Sequence, residues 1–194
     1  VLLGQCSARD AILTTPFKGV EVIPSSMALA AAELELADMR DRVMRLKEEL
    51  VRVKGEYDFV LIDCPPSLGM VTLNALSACD SLIIPIQCEY YALEGLSQLV
   101  TTVRQVKRLY NPGIEIEGVL LTMYDGRLNL TLQVVDEVKK YFPEKVFKNV
   151  IPRNVRLSEA PSFGQPVLYF DRSSRGSQAY EALTAEILDK NRKG

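Results

Sequence analysis

Tyr57-Asp58-Phe59-Val60-Leu61-Ile62-Asp63-Cys64-Pro65-Pro66-Ser67-Leu68-Gly69 is the stretch on which the reading of the chain turns. Phe59 to Ile62 is an unbroken apolar run. It is too short for a helix and rich in strand-forming residues, so it is expected to be a strand buried on both faces. Asp63 ends the run. Open parallel sheets bind ligands at the carboxyl ends of their strands, which puts this carboxylate where a ligand would sit. Pro65 and Pro66 then stop the strand and force an extended turn. On the strand alone, a turn-capping role for Asp63 is the simpler reading.

Working outward, strands and helices alternate. Upstream, Leu2 to Leu13 suggests a short helix with Ser7 or Asp10 near its start, and Val20 to Ile23 alternates like a strand. Met27 to Leu36 is rich in helix formers. Asp38 is expected to N-cap a second helix with Val43, Leu46, Leu50 and Val53 as its core stripe. Downstream, Val71 to Ala78 reads as a helix and Ser81 to Gln87 as a buried strand, with Pro85 marking a bulge or a strand end. A helix running to about Tyr110 is stopped by Asn111-Pro112-Gly113. Ile116 to Thr122 and Val146 to Ile151 are expected strands, Leu130 to Phe142 a helix, Val167 to Phe170 a last extended piece, and Ser177 to Leu188 a closing helix. The alternation predicts a doubly wound α/β fold, a mostly parallel sheet with helices on both faces, in one domain over residues 1–194.

Composition narrows the chemistry. The chain has no histidine, which removes Ser-His-Asp and Cys-His catalysis and any His-ligated zinc. Cys6, Cys64, Cys79 and Cys88 include no C-x-x-C pair and are expected to be reduced core thiols of a cytoplasmic protein. No apolar stretch approaches the roughly 20 residues of a membrane span. Charge is uneven. Residues 1–103 hold 8 Lys/Arg against 14 Asp/Glu, whereas residues 104–194 hold 15 against 11. A basic half permits an anionic partner, although ordinary surface charge accounts for it nearly as well.

A strand ending in Asp is also the pattern by which P-loop nucleotidases hold Mg²⁺ beside a triphosphate. The longer string Asp63-Cys-Pro-Pro-Ser-Leu-Gly69 resembles the Walker B and switch II segment of the ParA/Soj partition ATPases, relatives of MinD. Val22 to Leu36 resembles the family stretch before Walker B, and Gln87-Cys-Glu-Tyr-Tyr-Ala-Leu-Glu-Gly-Leu96 a family string near the nucleotide-dependent dimer face. On this resemblance the chain starts after the family's P-loop and switch I, because no G-x-x-x-x-G-K-[ST] occurs in it. In the family the P-loop strand lies beside the Walker B strand, so Phe59 to Ile62 is expected to lack a neighbour and to show unpaired backbone.

The resemblance also implies roles. Asp63 would orient a water on Mg²⁺, Pro66 and Gly69 would shape the segment that senses the γ-phosphate, and Pro152, Arg153 and Asn154 would lie against the adenine of ATP. Arg127 and Arg156 would bind DNA without sequence preference, since a guanidinium fork suits a phosphate. Lys139, Lys140, Lys145, Lys148, Arg172 and Arg175 could widen that patch. The chain departs from the usual family string at Leu128 and Phe163, neither of which is among these residues. The implied protein is an ATP-gated homodimer, nucleoid-associated and stimulated by a ParB-type partner, with the 194-residue chain inactive by itself. The alternatives are a MinD-like membrane switch, disfavoured by the polar tail Asp189 to Gly194, a relative of the nitrogenase iron protein, and a non-catalytic remnant.

Overall fold

The structure is a computed structural model that describes residues 1–89 and 92–192, with the backbone alone for residues 92–94. Its residues fall into two compact units, Val1–Asp80 with Leu99–Glu115, and Ser81–Gln98 with Ile116–Gly194. No helix among the described residues is long and apolar enough to cross a membrane.

In the first unit, α1 (Ala8–Ala11) is capped by Ser7, whose hydroxyl accepts the Asp10 N–H at 3.2 Å. β1 (Leu13–Thr14) and β2 (Glu21–Val22) pair antiparallel, Leu13 opposite Val22. Then come α2 (Ala28–Ala37), α3 (Arg45–Leu50) and α4 (Met70–Ala78). Asp38 is not the N-cap of a second helix. It closes α2, and α3 begins only at Arg45, because Asp41 in between adopts a left-handed backbone (φ 53°) that no helix accommodates. Asn74 locks this connection onto α4. It is fully buried, its Nδ2 donates to the carbonyls of Arg42 (2.6 Å) and Met70 (3.0 Å), and its Oδ1 accepts the Leu46 N–H (3.2 Å).

Phe59 to Ile62 differs most from expectation. Residues 59–65 carry no regular secondary structure, and Phe59, Val60 and Leu61 are exposed, Leu61 by 88%. The strand is absent because a strand persists only as one side of a hydrogen-bonded pair, and no described strand runs alongside. Ile62 alone reaches the local core, packing on Ala8, Leu50 and Val53.

The second unit holds the parallel sheet. β3 (Ser81–Gln87) pairs with β4 (Glu115–Thr122). The Glu115 N–H donates to Asp80 O at 3.4 Å before the strands, and the Cys88 N–H to Thr122 O at 3.0 Å beyond them, so both run the same way. Pro85 lies on an exposed position of β3, whose only described partner is β4, so its missing N–H breaks no ladder bond there. The expected strand from Val146 to Ile151 is present as two parallel bridges to the far side of β4, Val119 with Val146 and Tyr124 with Pro152. A bulge at Lys148 and Asn149 interrupts it, and the Glu186 carboxylate accepts both freed N–H groups (2.9 and 3.0 Å) and the Asn149 Nδ2 (2.8 Å).

Helices cover this sheet. α9 (Arg175–Arg192) places Leu183 in a core with Leu120, Phe147 and Ile151. Val119 and Leu121 point the other way by alternation and are equally buried, so β4 is covered on both faces. Gly118 leaves room for Phe147, since a β-carbon there would lie 2.6 Å from the ring Cζ. α6 (Asn129–Tyr141) and the short α7 (Val155–Glu159) complete the alternation in this unit, and α5 (Ala92–Leu109) begins in it and continues in the first. Val167–Phe170 is a turn of helix (α8) rather than an extended piece, started by Pro166, whose φ of −60° suits a helix entry. The α/β class with a parallel sheet is as expected. The cysteines are only partly so: all four are free, but Cys6 and Cys64 are exposed.

Candidate functional site

In the first unit, Asp63 follows the anchored Ile62 and is exposed. Packing around its sulfur, and then the charge of Asp63, push the Cys64 thiol up. Pro66 is exposed in the turn closed by the Ser67 N–H to Pro65 O bond at 2.8 Å. Gly69 is the residue from which α4 starts, and the Val71 N–H donates to Glu33 Oε1 at 3.2 Å.

In the second unit, two loops leave the carboxyl ends of adjacent parallel segments. They are tied together, because the Tyr124 N–H donates to Ile151 O (3.1 Å) and the Arg153 N–H to Tyr124 O (3.4 Å). The first loop carries Arg127. Asp125 grips it side-on, Oδ1 accepting Nε at 2.9 Å and Oδ2 accepting Nη2 at 2.7 Å. Those bonds, then the Arg127 N–H, draw the Asp125 carboxyl down to about 2. The guanidinium keeps its Nη1 edge outward and is 89% exposed. The second loop carries Pro152, Arg153, Asn154 and Arg156. Arg153 Nη2 donates to Glu89 at 2.8 Å. Asn154 caps α7 by accepting the Arg156 N–H at 3.0 Å. Arg156 pairs with Glu159 (2.7 Å) and Asp171 (3.3 Å), and lies 6.0 Å from the Phe170 ring centre.

The remaining cations make a looser group. Lys139, Lys145, Lys148 and Arg175 are exposed, Lys140 pairs with Glu137, and Arg172 is 3.5 Å from Glu181. The reading of Gln87 to Leu96 falls partly outside the described residues, at Tyr90 and Tyr91.

An exposed carboxylate suits Mg²⁺, which takes one or two carboxylates and completes its shell with water and phosphate. Asp63 fits that demand, and the flat Pro152 ring and Arg153 stem fit a base. The sequence contains no loop of the kind that cradles phosphates. Sequence reasoning missed Glu33, Glu89 and Asp125. Asp125 and Arg127 flank one glycine, a signal legible in the string. Glu33 and Glu89 meet partners 38 and 64 residues away, which no local pattern announces.

The parallel sheet, the helices on it and the loops at its carboxyl edge define an α/β fold of the P-loop NTPase type. The AAA domain family matches residues 1–116. The chain is 54% identical over 187 residues to the sporulation initiation inhibitor protein Soj of Bacillus subtilis, covering 96% of this chain and 74% of that protein. It is 48% identical over 190 residues to the chromosome partitioning protein ParA of Myxococcus xanthus, covering 98% and 67%. Among solved structures, cobyrinic acid a,c-diamide synthase from Mycobacterium smegmatis aligns with a TM-score of 0.82 at 34% identity, over 97% of this chain and 69% of that one. The same enzyme with a bound ATP analog and magnesium aligns at 0.74 and 37% identity, over 80% and 63%. The chain belongs to the Soj/ParA family of chromosome-partitioning ATPases.

Proposed function

We propose that the intact protein is a DNA-partitioning ATPase that dimerises with Mg²⁺ and ATP, binds DNA without sequence preference in that state, and is stimulated by a ParB-type partner. It would then work in the cytoplasm, at the nucleoid. Asp63 would hold the metal through a water, and Pro66 and Gly69 would shape the segment that responds to the γ-phosphate. Pro152, Arg153 and Asn154 lie against the base. Mg²⁺, when bound, neutralises charge on the phosphates, so the protein's task is positioning. The 194-residue chain holds Asp63 without a phosphate-binding loop and is inactive alone.

The observation that carries the DNA reading is the tie between the Arg127 and Arg156 loops at one edge of the sheet. Asp125 leaves the outer edge of Arg127 available, so a phosphate adds to the existing pair. The test is DNA binding by the full-length protein with ATP at several salt concentrations, for Arg127→Ala, Arg156→Ala and the pair. Each lost phosphate contact should reduce the slope of log affinity on log salt by about 0.9. The loss should be equal for unrelated DNA sequences. A double variant that still dimerises and keeps wild-type affinity and slope overturns the assignment, as does strong wild-type binding without nucleotide.

A further inference from the structure

We infer that Glu33 is a positioning residue for the Asp63–Gly69 segment: from α2, its carboxylate caps α4 and pins the end of the loop that carries Asp63. The functional half of this inference rests on the ATPase reading above.

Gly69 occupies the N-cap position of α4 with φ −74° and ψ −173°, an extended conformation that any residue adopts. Its backbone therefore does not demand glycine. It offers no side chain to the free N–H groups of the first turn, which a cap normally satisfies at the second or third helical residue. The acceptor comes instead from another helix. Glu33 Oε1 takes the N–H of Val71, the second residue of α4, at 3.2 Å. The carboxylate also faces the positive end of the helix dipole.

The Glu33 carboxylate occupies the space that a side chain at 69 would take. A β-carbon there would overlap Glu33 Oε1 and stand 2.9 Å from both Cδ and Oε2. Glu33 and Gly69 thus form one device, in which a missing side chain on one element makes room for a cap from the other. The loop between is held at both ends: Ile62 is seated on Ala8, Leu50 and Val53, and Gly69 is seated on Glu33. Asp63 is the first residue inside that closed loop. Removing the far anchor leaves the aspartate on a tether held at one end, with its own contacts unchanged.

The test is a double-mutant cycle read by two methods. In the 194-residue chain, amide exchange at Val71 and thermal unfolding are measured for Glu33→Ala, Glu33→Gln, Gly69→Ala and the pair Glu33→Ala with Gly69→Ala. Loss of a cap is expected to speed Val71 exchange by about five- to tenfold and to lower the midpoint by about 2–4 °C. Gln keeps an acceptor oxygen and should restore most of the protection. Gly69→Ala should displace the Glu33 carboxylate and cost no more than the cap does, and should be nearly silent once Glu33 is Ala, because there is then no cap to displace. In the full-length protein, Glu33→Ala should lower kcat several-fold with KM for ATP unchanged, and Glu33→Gln should recover kcat. Additive effects in the cycle overturn the Glu33–Gly69 device. An intact cycle with unchanged kcat overturns the positioning role. If the wild-type full-length protein turns over no ATP, the ATPase reading falls, and the exchange cycle still decides the contact.

Discussion

Two apolar runs of similar composition have opposite fates. Val119-Leu120-Leu121 in β4 is buried, with ladder partners on both sides. Phe59-Val60-Leu61 is exposed and unpaired, although like Val119-Leu120-Leu121 it is an unbroken apolar run. Their difference shows that an apolar run states a capacity to be a strand, and neighbours decide whether the capacity is used. A single extended segment satisfies none of its own backbone groups; pairing does. The Tyr57–Gly69 segment therefore keeps its local chemistry and loses its sheet, whereas the second unit has both.

The sharpest way to break this contrast is to ask for activity. If the Asp63 segment were a complete site as it stands, the purified 194-residue chain would release phosphate from ATP in the presence of Mg²⁺. The expected turnover is none, with Asp63→Ala indistinguishable from the parent; turnover abolished by Asp63→Ala would refute this. Next in size, Leu120→Ala should lower unfolding free energy by about 2–5 kcal/mol, the range for truncating a buried leucine, measured by urea denaturation. A loss under 1 kcal/mol would mean that the β4 core is looser than its burial implies.

A smaller effect is expected in acid. Burial alone would raise the Glu186 carboxyl, but the N–H groups of Lys148 and Asn149 and the Asn149 amide outweigh it and hold it below its usual 4.5. The unfolded chain then binds this proton first as pH falls. The stability Glu186 adds is fully present above about 4.5 and disappears as pH drops through the lower folded value. Glu186→Gln should therefore reduce stability at neutral pH and flatten the acid limb of the stability profile. An unchanged limb would show that the bulge is held without this carboxylate. The smallest effect is the counterpart of the leucine test: Leu61→Ser should change stability by about 0.5 kcal/mol or less, because the side chain is already in water. A large loss would put Leu61 in a packed environment.

The α/β class, β3 to the residue, the long helices and the family are legible in the string of residues, because they rest on local periodicity and on strings such as Asp63 to Gly69 that stand whole in the chain. The sequence also located the loops bearing Arg127 and Arg156, since both follow apolar runs directly. Tertiary structure alone decided three things. Phe59 to Leu61 is exposed, because burial depends on what lies beside a strand. Val167 to Phe170 is helical, since four apolar residues suit either conformation and packing on the α7 region settles it. Glu33, Glu89 and Glu186 serve as caps and partners for groups 37 or more residues away, because a carboxylate can satisfy any N–H or guanidinium that folding brings within about 3 Å. That distance is a property of the fold, and nothing in the spacing of the residues encodes it.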